Sequence, residues 1–276
     1  MKNSIIESIK SLPPLPKTIL DMQRVCANPE ASINDLVKTI DADPMIVANL
    51  LKAANSPLYS FGKEIKNVAQ AVSLFGMNMT RSVALGNSVR KLLNVDMEPY
   101  GITSEKFAEI SAWQSTLMLR WMNKVDRKLA EDLFLASFLQ ETGKILISSD
   151  VIQEDESTSF QSEIEMSSNI AMVEFSFVED TTATVTAAIF EHWKFDPTFV
   201  EMIRFSDSYA KAPEEIKKYA TALNIVKTIV PINAPFGEQG INFGLKKAHD
   251  AGFDHEILED VIDEMLDDPK LKIPQN

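Results

Sequence analysis

Polar capping residues followed by apolar side chains three and four positions apart recur along this chain, and that alternation commits it to helix. Ser32 stands ahead of Ile33, Leu36, Val37 and Ile40, with Asp35 three residues after it, the spacing that closes a helix start reciprocally. Asp43-Pro44 places a cap before a proline at the first helical position, and Ile46, Val47, Leu50 and Leu51 follow. Thr103 opens a long helix carrying Phe107, Ile110, Gln114, Leu117, Met118 and Trp121 on one broad face. The stops are equally plain. Leu12-Pro13-Pro14-Leu15-Pro16 is an extended entry, since successive prolines cannot sit inside a helix. Asn28-Pro29, Asn55-Ser56-Pro57 and Gly76 end the helices before them. Only 9 glycines occur in 276 residues, too few for the turns of a sheet-rich fold. The expected fold class is therefore all-α.

Some stretches read less regularly. Asp150–Glu165 is acidic and suits an exposed loop or a weak helix. Phe175–Thr186 is rich in β-branched residues and admits a strand, yet Val185, Ile189 and Trp193 repeat at four and favour a helix over Thr182–Trp193. Gly237, Gly240 and Gly244 read as a turn-rich loop. Pro213 opens a helix through Ile216, Tyr219, Leu223 and Val226, and Asp254–Asp268 forms an amphipathic helix with an acidic solvated face. The breaker-rich Asp96–Gly101 is the best boundary. The division expected is an N-terminal helical lobe over 1–98, a second lobe over 99–211, and a helical extension over 212–276 packed on the body.

Charge and composition then exclude function classes. A net charge of −13 repels phosphate backbones, so no nucleic-acid partner is expected. No apolar run reaches spanning length, so no membrane partner is expected, and the N-terminus lacks a signal-type apolar core; the expected location is cytoplasmic. The single cysteine, Cys26, cannot form an internal disulfide and lies on an apolar face, a buried thiol rather than a reactive one. His192, His249 and His255 fit no metal-ligand spacing, so neither a metal nor a cofactor is expected. Nucleophile motifs are absent, and Trp113 and Trp121 fall on a core face.

Six segments, in order, resemble a known family. They are Leu12-Pro13-Pro14-Leu15-Pro16; Asp43-Pro44; Ala54-Asn55-Ser56-Pro57-Leu58-Tyr59; Ala71-Val72-Ser73-Leu74-Phe75-Gly76; the run Phe134 to Lys144 with its Gln140-Glu141-Thr142-Gly143-Lys144 end; and Phe190-Glu191-His192-Trp193. Together they are similar to the HDOD domain, a bacterial relative of the HD-superfamily phosphohydrolases, over roughly residues 12–210. The resemblance implies a two-lobed, multi-helical bundle with an HD-like helical core in the second lobe.

HD hydrolases hold divalent metal with histidines and aspartates that activate water. Placed on that pattern, the first ligand position falls at Gln114 and the His-Asp dyad becomes Gln140-Glu141. The later histidine falls near Thr182, and the last ligand near Ser206-Asp207. Gln and Thr are poor ligands for a catalytic metal, so the resemblance implies a degenerate, non-catalytic site: a signal-transduction scaffold that binds a protein partner, with a nucleotide second messenger as an additional ligand class. Pro13, Pro14, Pro16, Asn55, Ser56, Pro57 and Trp193 are the family-motif positions that could serve binding; chain entry and helix capping are their plainer roles. The competing reading is a divergent phosphohydrolase with Glu141, Asp180 and Asp207 around Mg²⁺ or Mn²⁺. For an anionic ligand, Lys144 and Arg204 are the only basic residues expected near the degenerate site, and the stretch from Lys63 to Lys91, with Arg81 and Arg90, is the more basic candidate.

Overall fold

The computed structural model describes residues 1–56, 64–93 and 95–274, without the side chain of Glu131. No strand occurs among the described residues. The chain divides into two compact units. Of the described residues, one comprises 1–12, 93, 95–268 and 273–274; the other comprises 13–56, 64–92 and 269–272.

The smaller unit carries α2 (Lys17–Ala27), α3 (Ile33–Asp41), α4 (Pro44–Ala54) and α5 (Val68–Leu93). Each start has a local cause. Ser32 and Asp35 form the reciprocal capping box at α3, and the Asp43 carboxylate accepts from the N–H groups of Met45 and Ile46 at α4. Ile19, Met22, Leu36, Ile40 and Leu50 are buried. Within α5, Gly76 adopts φ 75° and ψ 169°, a conformation that L side chains rarely take, and the helix kinks there. Cys26 is half-buried. Burial raises its thiol pKa, and the opposing pull of Arg81 is the smaller effect.

The larger unit begins with α1 (Asn3–Lys10) and continues from α6 (Ser104–Val125) and α7 (Arg127–Leu139). These two form a hairpin turned on Asp126, whose carboxylate accepts from the N–H groups of Lys128 and Leu129. Then come α8 (Gly143–Gln153), α9 (Ser157–Met166), α10 (Ile170–Val178), α11 (Thr182–His192), α12 (Pro197–Arg204), α13 (Glu214–Ile229), α14 (Glu238–Asp250) and α15 (His255–Leu266). α13 packs on α6, α7, α12 and α14, and it buries apolar side chains on more than one face: Ala220, Ala222, Leu223, Ile225, Val226 and Ile229. Trp113 and Trp121 are buried on α6, with Trp121 against Phe253 at a ring-centroid distance of 5.1 Å.

Three stretches that read irregularly in the sequence are helical. Asp150–Glu165 is helical and not an exposed loop, as the end of α8, a short turn and α9, and Asp150 itself is buried. The β-branched stretch from Phe175 is helical, as α10 and α11, separated by Glu179 at φ 57°, so the helix favoured over Thr182–Trp193 is found and the strand alternative is not. The Gly237–Gly244 segment is not a loop but the start of α14. A Cβ on Gly240 would stand 2.7 Å from the Thr228 carbonyl oxygen, and one on Gly244 would stand 2.3 Å from Ile229 Cγ1. These glycines are what lets α14 lie close against α13.

Candidate functional site

Within the larger unit a buried ionic cluster joins several helices and the turns between them. Its centre is Lys144, in the first turn of α8, and only 3% of that residue is exposed. A cation there works against the helix dipole. It is held by Glu174 of α10 at 2.5 Å, by Glu141 at 3.1 Å, and by its hydrogen bond to Thr182 Oγ1 at 3.0 Å. Glu174 is fully buried, the one charged residue in the apolar run of α10. Its second oxygen accepts from the backbone N–H of Thr182 at 2.7 Å, so the carboxylate also satisfies the open start of α11. The Thr182 hydroxyl donates to Glu174 Oε1 at 2.6 Å, and the Tyr100 hydroxyl donates to the same oxygen at 3.0 Å. The Tyr100 ring lies over the lysine, 5.1 Å from Nζ.

Beside this triad stands a second pair. Asp207, in the turn after α12, meets Lys227 of α13 at 2.5 Å and accepts from the Ala183 N–H at 3.3 Å. Gln114 of α6 closes the cluster: its Nε2 donates to Glu141 Oε1 (3.2 Å) and to the Val230 carbonyl (2.9 Å), while its Oε1 accepts from Gln140 Nε2 (2.9 Å). Gly143 is required at the edge of the cluster, because a Cβ there would meet the Thr182 carbonyl at 2.7 Å and the Thr186 N–H nitrogen at 2.8 Å.

The charges answer one another. Burial pushes the Glu141 carboxyl up, but Lys144 and then Lys227 outweigh it and leave it below the usual range. Asp207 is likewise lowered, with Lys227 overcoming burial. Burial works against both ammonium groups; Glu141 and Glu174 nevertheless raise Lys144, and Asp207 and Glu141 raise Lys227. Burial, reinforced by Glu174, raises Tyr100 far above its ordinary value.

Gln114, Gln140, Glu141, Thr182 and Asp207 are thus brought together. Pro13, Pro14, Pro16, Asn55 and Ser56 belong to the smaller unit, and Pro57 lies outside the described residues. Asn55 holds local structure together, since its side chain donates to the carbonyls of Leu51 and Ile65 and accepts from the Ile65 N–H at 2.8 Å. Trp193 caps the end of α11 and packs on Phe190 at 6.0 Å. Asp180 does not join the cluster among the described contacts; its carboxylate accepts from the Thr181 N–H and the Thr184 hydroxyl. Arg204 is taken by Glu201 and Glu191.

Sequence reasoning missed Tyr100, Glu174 and Lys227. Glu174 left a trace, as a lone charge among Ile170, Ala171, Met172, Val173 and Phe175. Lys227 left none, since one lysine beside Thr228 looks like any solvated face.

The HD pattern implies a divalent metal, and these residues do not fit one. No group of three His, Cys, Asp or Glu side chains among the described residues could hold an ion. Between Glu141 and Glu174 stands the Lys144 ammonium, which supplies the positive charge that a bound cation would bring.

The HDOD domain family matches residues 12–209. The fold is shared with a protein of Shewanella amazonensis SB2B provisionally named a phosphohydrolase (TM-score 0.74, 20% identity, 98% of this chain and 96% of that one). It is also shared with an HDOD domain protein of unknown function from Geobacter sulfurreducens (TM-score 0.69, 13% identity, 97% and 95%). An uncharacterized protein of Treponema pallidum is 26% identical over 222 residues, 78% of this chain, and the match spans 41% of that relative's length. With a family match over most of its length and the helical architecture to go with it, the chain belongs to the HDOD domain family.

Proposed function

We propose that this chain is a non-catalytic regulatory module of signal transduction, acting through a protein partner and not through hydrolysis. One observation carries the reading: Lys144 Nζ lies 3.1 Å from Glu141, 2.5 Å from Glu174 and 3.0 Å from Thr182 Oγ1, in the middle of the cluster where a hydrolase would need an ion and its water. In this reading Gln114, Gln140, Glu141, Thr182 and Asp207 are the degenerate HD positions. The lobe over 99–211 carries them, with Lys227 of the following segment as the second cation, so that two lysines face three carboxylates. Buried ion pairs cost several kcal/mol per ion in desolvation, and what they return is definition of one arrangement. A cluster that joins α6, α8, α10, α11 and α13 is a device for holding a receiving surface in one form. A protein of Marinobacter aquaeolei VT8, provisionally named a signal transduction protein, shares the fold at TM-score 0.74 and 21% identity, and this chain spans 60% of it.

The competing hydrolase requires Asp180 beside Glu141 and Asp207, and Asp180 is bonded to Thr181 and Thr184 at the start of α11. The decisive assay offers the purified protein phosphomonoesters and phosphodiesters with Mn²⁺ or Mg²⁺. Turnover is expected to equal the buffer blank, unchanged in Glu141→Gln. Turnover in the native protein that Glu141→Gln abolishes would make it a divergent hydrolase.

A further inference from the structure

A cleft of about 950 Å³ adjoins the ionic cluster within the larger unit. Its lining includes Lys227, Lys246 and Lys247, the aromatic ring of Phe243, and Met166 and Ile170. Sequence reasoning expected Lys144 and Arg204 as the basic residues near the degenerate site and preferred the stretch from Lys63 to Lys91 for an anionic ligand; Lys144 does line the cleft, Arg204 is occupied by glutamates, and Lys227, Lys246 and Lys247 line it unforeseen.

Lys247 is the informative one. Because Gly240 and Gly244 bring α14 close to α13, its ammonium reaches Asn224 Oδ1 at 2.7 Å and Thr228 Oγ1 at 2.8 Å. Both acceptors are neutral, and among the described residues no carboxylate forms an ion pair with it. An ammonium has three protons to donate, and two are used. Burial pulls its pKa down, Asp207 opposes, and Lys227 adds to the lowering. A partly desolvated cation without a counter-ion is costly until an anion arrives. Lys246, exposed, likewise has no carboxylate partner among the described residues. Phe243, 50% exposed, lies three and four residues before the two lysines and so shares their helix face. Five carboxylates also line the cleft: Glu141, Glu174 and Asp207 are held by Lys144 and Lys227, while Glu165 and Asp250 set it against long polyanions.

We propose that this cleft binds a small molecule in which one oxyanion, phosphate or carboxylate, is joined to an apolar ring, with Lys246 and Lys247 on the oxyanion and Phe243 against the ring. The regulatory reading gives such binding its consequence; the binding itself stands on the lysines and the ring.

The test is calorimetric titration of the full chain with phenyl phosphate, benzoate and inorganic phosphate at constant ionic strength. At least one ring-bearing oxyanion is expected to bind about tenfold or more tightly than inorganic phosphate, and the better of the two identifies the oxyanion. Phe243→Ala should erase that preference. Lys246→Ala should weaken binding severalfold, and Lys247→Met by about tenfold or more. Phe243 and Lys246 are exposed, so their variants decide the matter even if Lys247→Met fails to fold. No heat above a chloride control, or affinity unchanged in Lys246→Ala and Phe243→Ala, overturns the proposal. Release of phenol during the titration would defeat the non-catalytic reading while leaving the binding site in place.

Discussion

At the scale of single residues, Lys144 and the carboxylates around it set how the protein responds to pH. Glu141 and Asp207 have folded pKa values lowered by their lysines. Their contribution is therefore fully present above the unfolded values of about 4.3 and 3.9, and it is lost as pH falls through the folded values. Lys144 and Lys227 are raised, so their contribution is present below about 10.4 and is lost as pH rises through the folded values. The urea midpoint should be flat between these limits and fall on both sides. Glu141→Gln should flatten part of the acid limb; an acid limb identical in that variant would show that the cluster is not what titrates. This part of the site was only half legible in the sequence. Gln140-Glu141 and Gln114 stood out because the family resemblance placed them at the metal-ligand positions of HD hydrolases. Lys144 was visible as a charge, but its role depends on Glu174 and Thr182, 30 and 38 residues away, and no local pattern encodes that convergence.

Among the elements, the caps were the most legible feature because each is a contact between near neighbours. Ser32 with Asp35, Asp43 before Pro44, and Thr103 with Lys106 all close their helices as the residue types require. Local preference was the poorer guide where tertiary packing overrode it. The β-branched residues of α10 and α11 are helical because those helices are packed, and intrinsic preference is the weaker influence. The glycines of α14 suggested a turn, yet Gly240 and Gly244 serve helix approach, and their spacing of four was the available signal. Gly244→Ala tests this. Its methyl group would meet Ile229 at 2.3 Å, and overpacking of this kind costs about 1–3 kcal/mol by urea denaturation. A stabilised variant, as expected for Gly-to-Ala in an open helix, would contradict the close approach.

For the molecule as a whole, the chain belongs to the HDOD domain family, and in the proposed reading its own lysines stand in the buried cluster where a hydrolase would hold a metal. The net charge is −13, and no helix among the described residues is long and apolar enough to cross a membrane. The most direct test is manganese content: the purified chain is equilibrated with Mn²⁺, desalted and analysed for bound metal, alongside Glu141→Gln. No stoichiometric manganese is expected in either protein, because each carboxylate of the cluster is already paired with Lys144 or Lys227. Stoichiometric manganese in the native chain, lost in Glu141→Gln, would contradict this and restore a metal to the centre of the fold.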